Sequence, residues 1–306
     1  MIRNPSVPVS FVGAGPGDPE LITVRGRRVI EEADLVLYAG SLVPPEVVAC
    51  ARPNARVEDS SSMTLEETHA LMRETVREGG LVARVHTGDP SLYGAVREQM
   101  VLLRRDGIAY QVIPGVTVAF AAAAAAGVSF TLPEKTQSLI LTRLEGRTPV
   151  PEQERLREMA RHRASMAVYL STGDPGGVVR ELRAGGYPGE TPMVIAYRVG
   201  WPEQKVLFAR LSNLESVLSR EAVTRQAVFL VLPGQDEDPG FSRLYSKNFQ
   251  HGFREIVQEE PEAQDLLGAD RQEDPVANGQ NATAVYALTA RGARLARTLA
   301  EGLGGD

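Results

Sequence analysis

The chain has 306 residues, of which 43% are hydrophobic and 24% charged, a composition typical of a soluble globular protein of about two domains. Residues 1–235 carry 26 basic and 26 acidic side chains, so the formal net charge of −6 lies entirely in residues 236–306. Because residues 1–235 have no excess of basic side chains, the sequence argues against nucleic-acid binding. No apolar run is long enough to span a bilayer and no leader pattern opens the chain, so we expect a cytoplasmic protein without membrane contact.

Residues 1–128 alternate short apolar runs with amphipathic stretches. The sequence predicts strands at 9–13, 34–38, 56–59, 81–86 and 110–113. It predicts helices at 20–32, 65–78, 92–105 and 117–126, and a short one after Pro44-Pro45. Five strands alternating with helices predict a parallel, doubly wound α/β domain, whose ligands sit beyond the carboxyl ends of the strands.

Residues 129–235 form a second unit with a more mixed pattern. Strands are predicted at 138–143, 166–171, 192–198, 205–210 and 227–232, and helices at 152–161, 176–184 and 213–219. This pattern indicates a mixed α/β domain. We therefore expect two α/β domains with a ligand cleft between them, where small-molecule sites concentrate.

The remainder of the chain differs in composition from the first 235 residues. Residues 236–283 are rich in polar residues, proline and glycine and are typical of a linker, largely disordered, with an aromatic and basic patch at 241–253. Residues 284–306 suggest one strand and one amphipathic helix, too little to bury a core alone. We interpret them as the stub of a fused or formerly fused domain.

Two glycine-containing loops, at 9–19 and 84–94, each join a predicted strand to a predicted helix. Glycine allows a ligand to approach the backbone, and Asp-Pro suits the entry to a helix, although turn geometry alone also explains such loops. The first loop does not match the dinucleotide fingerprint, because its third glycine, Gly17, follows Gly15 by two positions instead of three. This spacing disfavours a nicotinamide enzyme.

Cysteine and histidine are too sparse for several classes of site. Cys50 is the sole cysteine, which excludes an intrachain disulfide and a multi-thiolate metal site. The four histidines are widely scattered, so no metal cluster is predicted. No arrangement typical of a nucleophilic triad occurs, and no catalytic residue is assigned.

Several segments occur together in a characteristic order: 13–19 (GAGPGDP), 38–43 (YAGSLV), 86–94 (HTGDPSLYG) and 113–117 (IPGVT). In order and spacing they resemble the tetrapyrrole methylases, which use S-adenosylmethionine. The segments 137–151 and 201–203 resemble the branch of that family that methylates C-11 of precorrin-4 or cobalt-precorrin-4. The likeness covers roughly residues 7–254 and implies a homodimer.

The resemblance implies a cofactor site in the cleft, formed largely by backbone atoms. Its members would be Pro16, Gly88, Asp89, Pro90, Leu92, Thr117, Val118, Leu170 and Val199. For Leu92, Leu170 and Val199, core packing is the alternative interpretation. Val199 also departs from the smaller residue common at its position in the family.

The substrate of such an enzyme is a ring system fringed with carboxylates. Arginine binds carboxylates through charge-assisted hydrogen bonds, so we expect a subset of arginines to hold the tetrapyrrole, although surface arginines are common in this chain. The predicted substrate contacts are Ser41, Leu42, Tyr93, Arg143, Arg147 and Arg198. Methyl transfer from a sulfonium to an electron-rich carbon depends on alignment and exclusion of water, which is consistent with the lack of a triad.

Other functions remain open on the sequence alone. One is a sibling methylase that acts at another ring carbon, or the diphthamide-forming methylase that shares the fold. Another is a non-catalytic module of a biosynthetic fusion. Residues 284–303 are similar to the opening strand and helix of cobalt-precorrin-5A hydrolases, which indicates fusion or association with the next enzyme of the pathway.

Overall fold

The computed structural model describes residues 6–236. The first of two five-stranded sheets contains β1 (Val9–Gly13), β2 (Leu35–Tyr38), β3 (Arg56–Asp59), β4 (Val82–His86) and β5 (Tyr110–Ile113). Its strand order is β3-β2-β4-β1-β5, and every neighbouring pair is parallel. The predicted parallel sheet is confirmed. Its helices are α1 (Val24–Glu32), α2 (Pro45–Val48), α3 (Leu65–Arg77), α4 (Val96–Arg105) and α5 (Val118–Ala126).

The second sheet is mixed, as the sequence predicts. It contains β6 (Leu139–Arg143), β7 (Ser165–Tyr169), β8 (Pro192–Tyr197), β9 (Lys205–Arg210) and β10 (Ala227–Val231), in the order β6-β7-β10-β8-β9. Only β6 and β7 pair in parallel; the other pairs in this sheet are antiparallel. Its helices are α6 (Leu156–Ala160), α7 (Pro175–Ala184) and α8 (Leu214–Arg220). Strand β10 is the last along the described chain but lies at the centre of the sheet.

Helix α3 begins and ends where the sequence signals predict. Thr64 Oγ1 accepts from the amide of Glu67 at 3.2 Å, and the Glu67 carboxylate accepts from the amide of Thr64 at 2.7 Å. This reciprocal pair satisfies two amides that the helix itself leaves unbonded. Gly79, with a φ of +80°, follows the last turn.

Two of the helices predicted beside the first sheet begin four residues later than expected. The helix predicted at 92–105 starts at Val96, because Tyr93 and Ala95 adopt left-handed φ values of 56° and 47° that no α-helix accommodates. The helix predicted at 20–32 divides into a 3-10 turn at Pro19–Leu21 and then α1, whose first turn is capped by Thr23. Both differences lie in the loops that follow β1 and β4.

Helix α5 follows the first sheet in the chain but packs against the second. Ala119, Ala122 and the adjacent alanines lie in one buried cluster with Ala167 of β7 and Leu230 of β10. Alanine lets the helix approach a sheet closely, so α5 joins the two sheets into one packed structure.

No helix within residues 6–236 is long and apolar enough to cross a membrane. The linker, patch and stub predicted for residues 236–306 lie outside the described residues, except for Asp236.

Candidate active site

The carboxyl ends of β1, β4 and β5 meet at three glycines. A Cβ on Gly115 would lie 2.1 Å from the carbonyl oxygen of Gly88, and one on Gly13 would lie 2.5 Å from the amide nitrogen of Gly115. These distances are far below a van der Waals contact. The three strand ends therefore approach one another only because Gly13 and Gly115 lack side chains.

The two glycine-containing loops bond to each other. The amide of Gly88 donates to the carbonyl of Gly15 at 2.7 Å, and the amide of Gly15 donates to the carbonyl of Gly88 at 3.2 Å. These particular backbone groups are thus engaged within the protein, whereas the sequence suggested that both loops present such groups to a ligand. Gly88 still lines the adjacent cavity, with a φ of +60°.

A cavity of about 160 Å³ lies between the two sheets, beside these loops. Most of the residues predicted to contact the cofactor line it: Pro16, Gly88, Asp89, Leu92, Thr117, Val118, Leu170 and Val199. Three predicted substrate contacts line it as well: Leu42, Tyr93 and Arg198. Residues far apart in the sequence therefore share one concave surface, as expected for a small-molecule site.

Asp89 ties the β4 loop to the β5 loop. Its Oδ2 accepts from the amide of Gly115 at 3.0 Å, and its Oδ1 accepts from the amide of Ser91 at 2.9 Å and from the Ser91 hydroxyl. Partial burial acts to raise the pKa of Asp89, but the hydrogen bonds from Ser91 and Gly115 together outweigh it and lower the pKa below its usual value. The carboxylate is ionised at neutral pH, and Oδ2, which accepts a single hydrogen bond, retains a lone pair for a ligand.

Arg198 is held by several neighbours at the edge of the cavity. Its Nε donates to Gln226 Oε1 at 2.6 Å, and its guanidinium lies 5.2 Å from the ring centroid of Trp201. Gln226 in turn donates to the carbonyl of Ser41 at 3.0 Å, which bridges the second sheet and the loop after β2. These contacts hold the Arg198 side chain in place and connect the second sheet to the loop after β2 at the edge of the cavity.

Four predicted site residues do not line the cavity. These are Pro90, Ser41, Arg143 and Arg147. Ser41 meets the cavity wall only through its bond from Gln226. Arg143 donates to the carbonyls of Thr148 and Pro149, at 3.1 and 2.8 Å, so its guanidinium stabilises the loop that follows β6.

The side chain of Arg147, unlike that of Arg143, is not bonded to its own loop. It is exposed on the loop after β6 and forms no hydrogen bond or ion pair with the part of the chain that the structure describes. Its guanidinium donors are therefore available to a ligand that extends beyond the cavity.

Sequence reasoning missed several residues that line the cavity. These are Thr87, Tyr169, Trp201, Gln226, Ala227 and Val228. Thr87 and Tyr169 adjoin predicted contacts, and Trp201 lies in a segment that carries the family resemblance. Residues 226–228 gave no such signal, because the sheet topology alone brings the start of β10 to the cleft.

Strained backbone also marks the cavity. Among non-glycine residues in the described chain, four with left-handed φ line it: Tyr93 (56°), Leu170 (53°), Arg198 (46°) and Gln226 (54°). Such conformations cost free energy and persist where surrounding structure holds them, commonly at functional sites. Leu170 is 68% exposed, so its side chain faces the cleft and is not part of the core.

Strand β4 buries two basic side chains beneath the site. Arg84 donates to Leu37 O, Ser60 Oγ and Gln99 Oε1, all neutral acceptors, and burial lowers its pKa to about 10. His86 is 4% exposed, and its Nε2 has no hydrogen-bond partner among residues 6–236. Burial, reinforced by the charge of Arg84, lowers the pKa of His86 to about 3, so the imidazole is neutral.

No group of three or more potential metal ligands occurs among residues 6–236. The polar groups of the cavity wall include the hydroxyls of Thr87, Thr117 and Tyr169 and the carboxylate of Asp89, beside a largely apolar surface. Such a wall fits a ligand with an apolar ring and a few hydroxyl or amino groups.

The sequence model of the tetrapyrrole (corrin/porphyrin) methylase family matches residues 8–215. Among curated relatives, a cobalt-precorrin-4 C(11)-methyltransferase of Priestia megaterium is 45% identical over 256 residues, which is 82% of this chain and 98% of the relative. A protein of the same name from Methanocaldococcus jannaschii is 44% identical over 249 residues, 80% of this chain and 95% of the relative. A precorrin-4 C(11)-methyltransferase of Pseudomonas aeruginosa is 43% identical over 248 residues, covering 80% and 98%.

Solved structures of methyltransferases also match this chain. The X-ray structure of a cobalamin biosynthetic enzyme, cobalt precorrin-4 methyltransferase, matches with a TM-score of 0.73 and 43% identity, over 76% of this chain and 98% of that one. A uroporphyrin-III C-methyltransferase of Thermus thermophilus, in complex with S-adenosylhomocysteine, matches with a TM-score of 0.61 and 28% identity, over 73% and 96%.

Proposed function

The chain belongs to the tetrapyrrole (corrin/porphyrin) methylase family, and from this premise we propose that it is an S-adenosylmethionine-dependent methyltransferase that methylates C-11 of precorrin-4 or cobalt-precorrin-4. The observation that carries this proposal is the identity of 43–45% to C(11)-methyltransferases, which extends over nearly their whole length. The product would serve cobalamin biosynthesis.

We place S-adenosylmethionine in the cavity between the sheets. Its contacts would be the eight predicted residues that line the cavity and, through the loop after β4, Pro90. This cofactor carries no phosphate, so it requires hydroxyls, a carboxylate and a close backbone approach, which Thr117, Asp89 and Gly88 offer. When bound, the cofactor would supply the methyl group, and these residues would hold it in the cavity.

The tetrapyrrole would lie beside the cofactor along the mouth of the cleft. Leu42, Tyr93 and Arg198 line the cavity and would contact the ring system or its carboxylates, together with Ser41 in the same loop as Leu42. The free guanidinium of Arg147 would grip a peripheral carboxylate. Arg143 would act indirectly, because it holds the loop that carries Arg147.

Catalysis in this arrangement depends on positioning. The largely apolar walls would exclude water from the bound cofactor, and the loops that line the cavity would hold it in a fixed position. Burial raises the pKa of both Tyr93 and Tyr169, so these phenols remain protonated at neutral pH. The proton lost from the macrocycle would leave without either tyrosine acting as a base.

We also propose domain boundaries, a location and an oligomeric state for the protein. We expect an N-terminal domain at 1–128, a second at 129–235, a linker at 236–283 and a terminal stub at 284–306. We further expect a cytoplasmic homodimer, with residues 284–306 derived from fusion to the next enzyme of the pathway.

The proposal is tested by incubating the protein with precorrin-4 or cobalt-precorrin-4 and methyl-labelled S-adenosylmethionine, then locating the label by NMR. Label at C-11 is the expected result. Label at another ring carbon would instead identify a sibling methylase. No transfer to either substrate, despite cofactor binding, would identify a non-catalytic module.

A further inference from the structure

Helix α5 is capped by a residue of the other sheet. Thr117 occupies the N-cap position, but its side chain does not bond to the amides of the helix. Instead, the amide of Ala119 donates to the phenol oxygen of Tyr169 at 3.2 Å, and that oxygen lies 2.7 Å from Thr117 Oγ1. The first amides of a helix need an acceptor, which the N-cap side chain normally provides. Here Tyr169, the last residue of β7, provides it.

The joint between Tyr169 and α5 lies at the cavity wall. Tyr169 is 9% exposed, and its ring packs in the buried cluster that includes Ala119 and Ala122 of α5. Its ring centroid lies 5.5 Å from that of Tyr93. Tyr169 and Thr117 both line the cavity, so a change in the hydroxyl contact changes the shape of the ligand site.

The two hydrogen bonds leave one donor unused. A neutral phenol that accepts from the amide of Ala119 can donate its own hydrogen to Thr117 Oγ1. The hydroxyl hydrogen of Thr117 is then free to point into the cavity. Thr117 and Val118 thus present a fixed donor and a fixed apolar surface to a ligand.

We propose that Tyr169 is a positioning residue for the cofactor: its hydroxyl caps α5 from the second sheet and orients Thr117 toward S-adenosylmethionine. This inference rests on the proposed function, because it assumes that the cofactor occupies the cavity. It assigns Tyr169 a role through Thr117 and the first turn of α5, and none in the methyl transfer itself.

The test is the affinity of the full chain for S-adenosylhomocysteine, measured by calorimetry without any tetrapyrrole. Tyr169→Phe keeps the ring and removes the hydroxyl, and we expect the affinity to fall by about tenfold, as for the loss of a well-placed hydrogen bond. Thr117→Val should weaken binding to a similar extent, and Thr117→Ser, which retains the hydroxyl, should restore it. The variant with both Tyr169→Phe and Thr117→Val should bind no more weakly than either one alone, because the two groups act as one unit.

Tyr187→Phe is the matched control. Tyr187 is 3% exposed, donates to the carbonyl of Ala164, packs in a different buried cluster from Tyr169 and does not itself line the cavity. Both tyrosine substitutions should lower the thermal midpoint of unfolding, but only Tyr169→Phe should lower the affinity.

The outcomes separate this inference from the proposed function. Wild-type affinity in Tyr169→Phe, an equal loss in Tyr187→Phe, or additive effects in the double variant would each overturn the positioning role while leaving the proposed function intact. Failure of the wild-type protein to bind S-adenosylhomocysteine would overturn the proposed function, and this inference with it.

Discussion

Gly13 and Gly115 allow the ends of three neighbouring strands to meet because neither residue carries a side chain. The same absence allows Gly88 to hold a φ of +60° and to bond in both directions with Gly15. At the scale of single residues, the junction of the strand ends thus depends on Gly13 and Gly115, where even a methyl group would displace backbone, and on the left-handed φ of Gly88.

Gly88→Val should abolish S-adenosylmethionine binding and leave the core folded. A β-branched residue is disfavoured at this φ, since even an ordinary L-residue costs about 1–2 kcal/mol in the left-handed region, so the loop would move and lose its pairing with Gly15. Calorimetry measures the binding, and circular dichroism reports the fold. Gly107→Val is the control, because Gly107 has a similar φ of +70° and open space around it. Unchanged affinity in Gly88→Val would remove this loop from the cofactor site.

Arg147→Leu should weaken tetrapyrrole binding by about 1.5–3 kcal/mol, the range for a hydrogen bond to a charged group, and leave cofactor affinity unchanged. The reason is that Arg147 is exposed and its guanidinium is unengaged within the described residues. Fluorescence titration with the tetrapyrrole and calorimetry with S-adenosylhomocysteine separate the two effects. Arg28→Leu, at an exposed site on α1, should change neither. Loss of both affinities would indicate a structural arginine.

The predicted residues of the glycine loops line the cavity more often than the predicted arginines do. A glycine or an Asp-Pro turn is a local constraint, and the structure places Gly88 and Asp89 at the cavity as expected. The partner of an arginine is set by tertiary structure, so Arg143 and Arg147 looked equivalent although only Arg143 is bonded to its own loop. Tyr169 was missed for a related reason, since its partner Thr117 lies on a helix that follows the other sheet.

At the scale of elements, β4 connects the buried core to the site. It places Arg84 and His86 on one face beneath the loops, and His86 stays neutral because burial removes water from its imidazole. The existence of most strands was predictable from short apolar runs, whereas their order within each sheet was not predicted. The start of α4 was not, because the left-handed conformations of Tyr93 and Ala95 depend on the loops packed around them and have no pattern in the sequence.

The buried neutral state of His86 makes the stability of the protein depend on pH. In the unfolded chain the imidazole binds a proton below a pKa of about 6.5, whereas in the folded protein its pKa is lowered to about 3. Between these values the unfolded state binds more protons, so this histidine's contribution to the free energy of unfolding falls as the pH decreases, by at most about 1.4 kcal/mol per unit.

His86→Leu should reduce this dependence, because leucine does not titrate. Urea unfolding at about pH 7 and about pH 5 gives the comparison, and the difference in free energy between the two pH values should be smaller in the variant than in the wild type. His162→Gln, at an exposed position, should leave the difference unchanged. An equal pH dependence in wild type and His86→Leu would contradict the neutral, buried state.

At the scale of the whole molecule, two sheets share one cavity and one connecting helix. The contacts between the two parts include the hydrogen bond from Gln226 to Ser41 and the close approach of the Trp201 ring to Gly17. The pattern of strands predicted both sheets and the cleft between them. It did not predict that α5 packs on the second sheet, because an alanine-rich helix has little amphipathic character to indicate which surface it buries.

Removal of the chain after residue 256 should leave thermal stability, S-adenosylmethionine binding and methyl transfer nearly unchanged. The alignment with the relative from Priestia megaterium covers 98% of that protein but 82% of this chain, so part of this chain has no counterpart in the relative. Differential scanning calorimetry and the labelled-methyl assay measure the effect. Loss of folding or activity on truncation would show that residues 257–306 belong to the methylase and would contradict the fusion interpretation.

The central place of β10 in the second sheet governs the order in which a nascent chain can mature. Strands β7 and β8 each pair with β10, so neither gains its inner neighbour until Ala227–Val231 has left the ribosome. The first sheet needs no residue beyond Ile113 and can assemble during translation, because domains fold as units from the amino terminus. The cleft is therefore completed late in synthesis. A ribosome stalled before residue 227 would carry a folded first sheet and a second sheet in which β7 and β8 have unpaired edges. Such exposed edges can bind chaperones or aggregate.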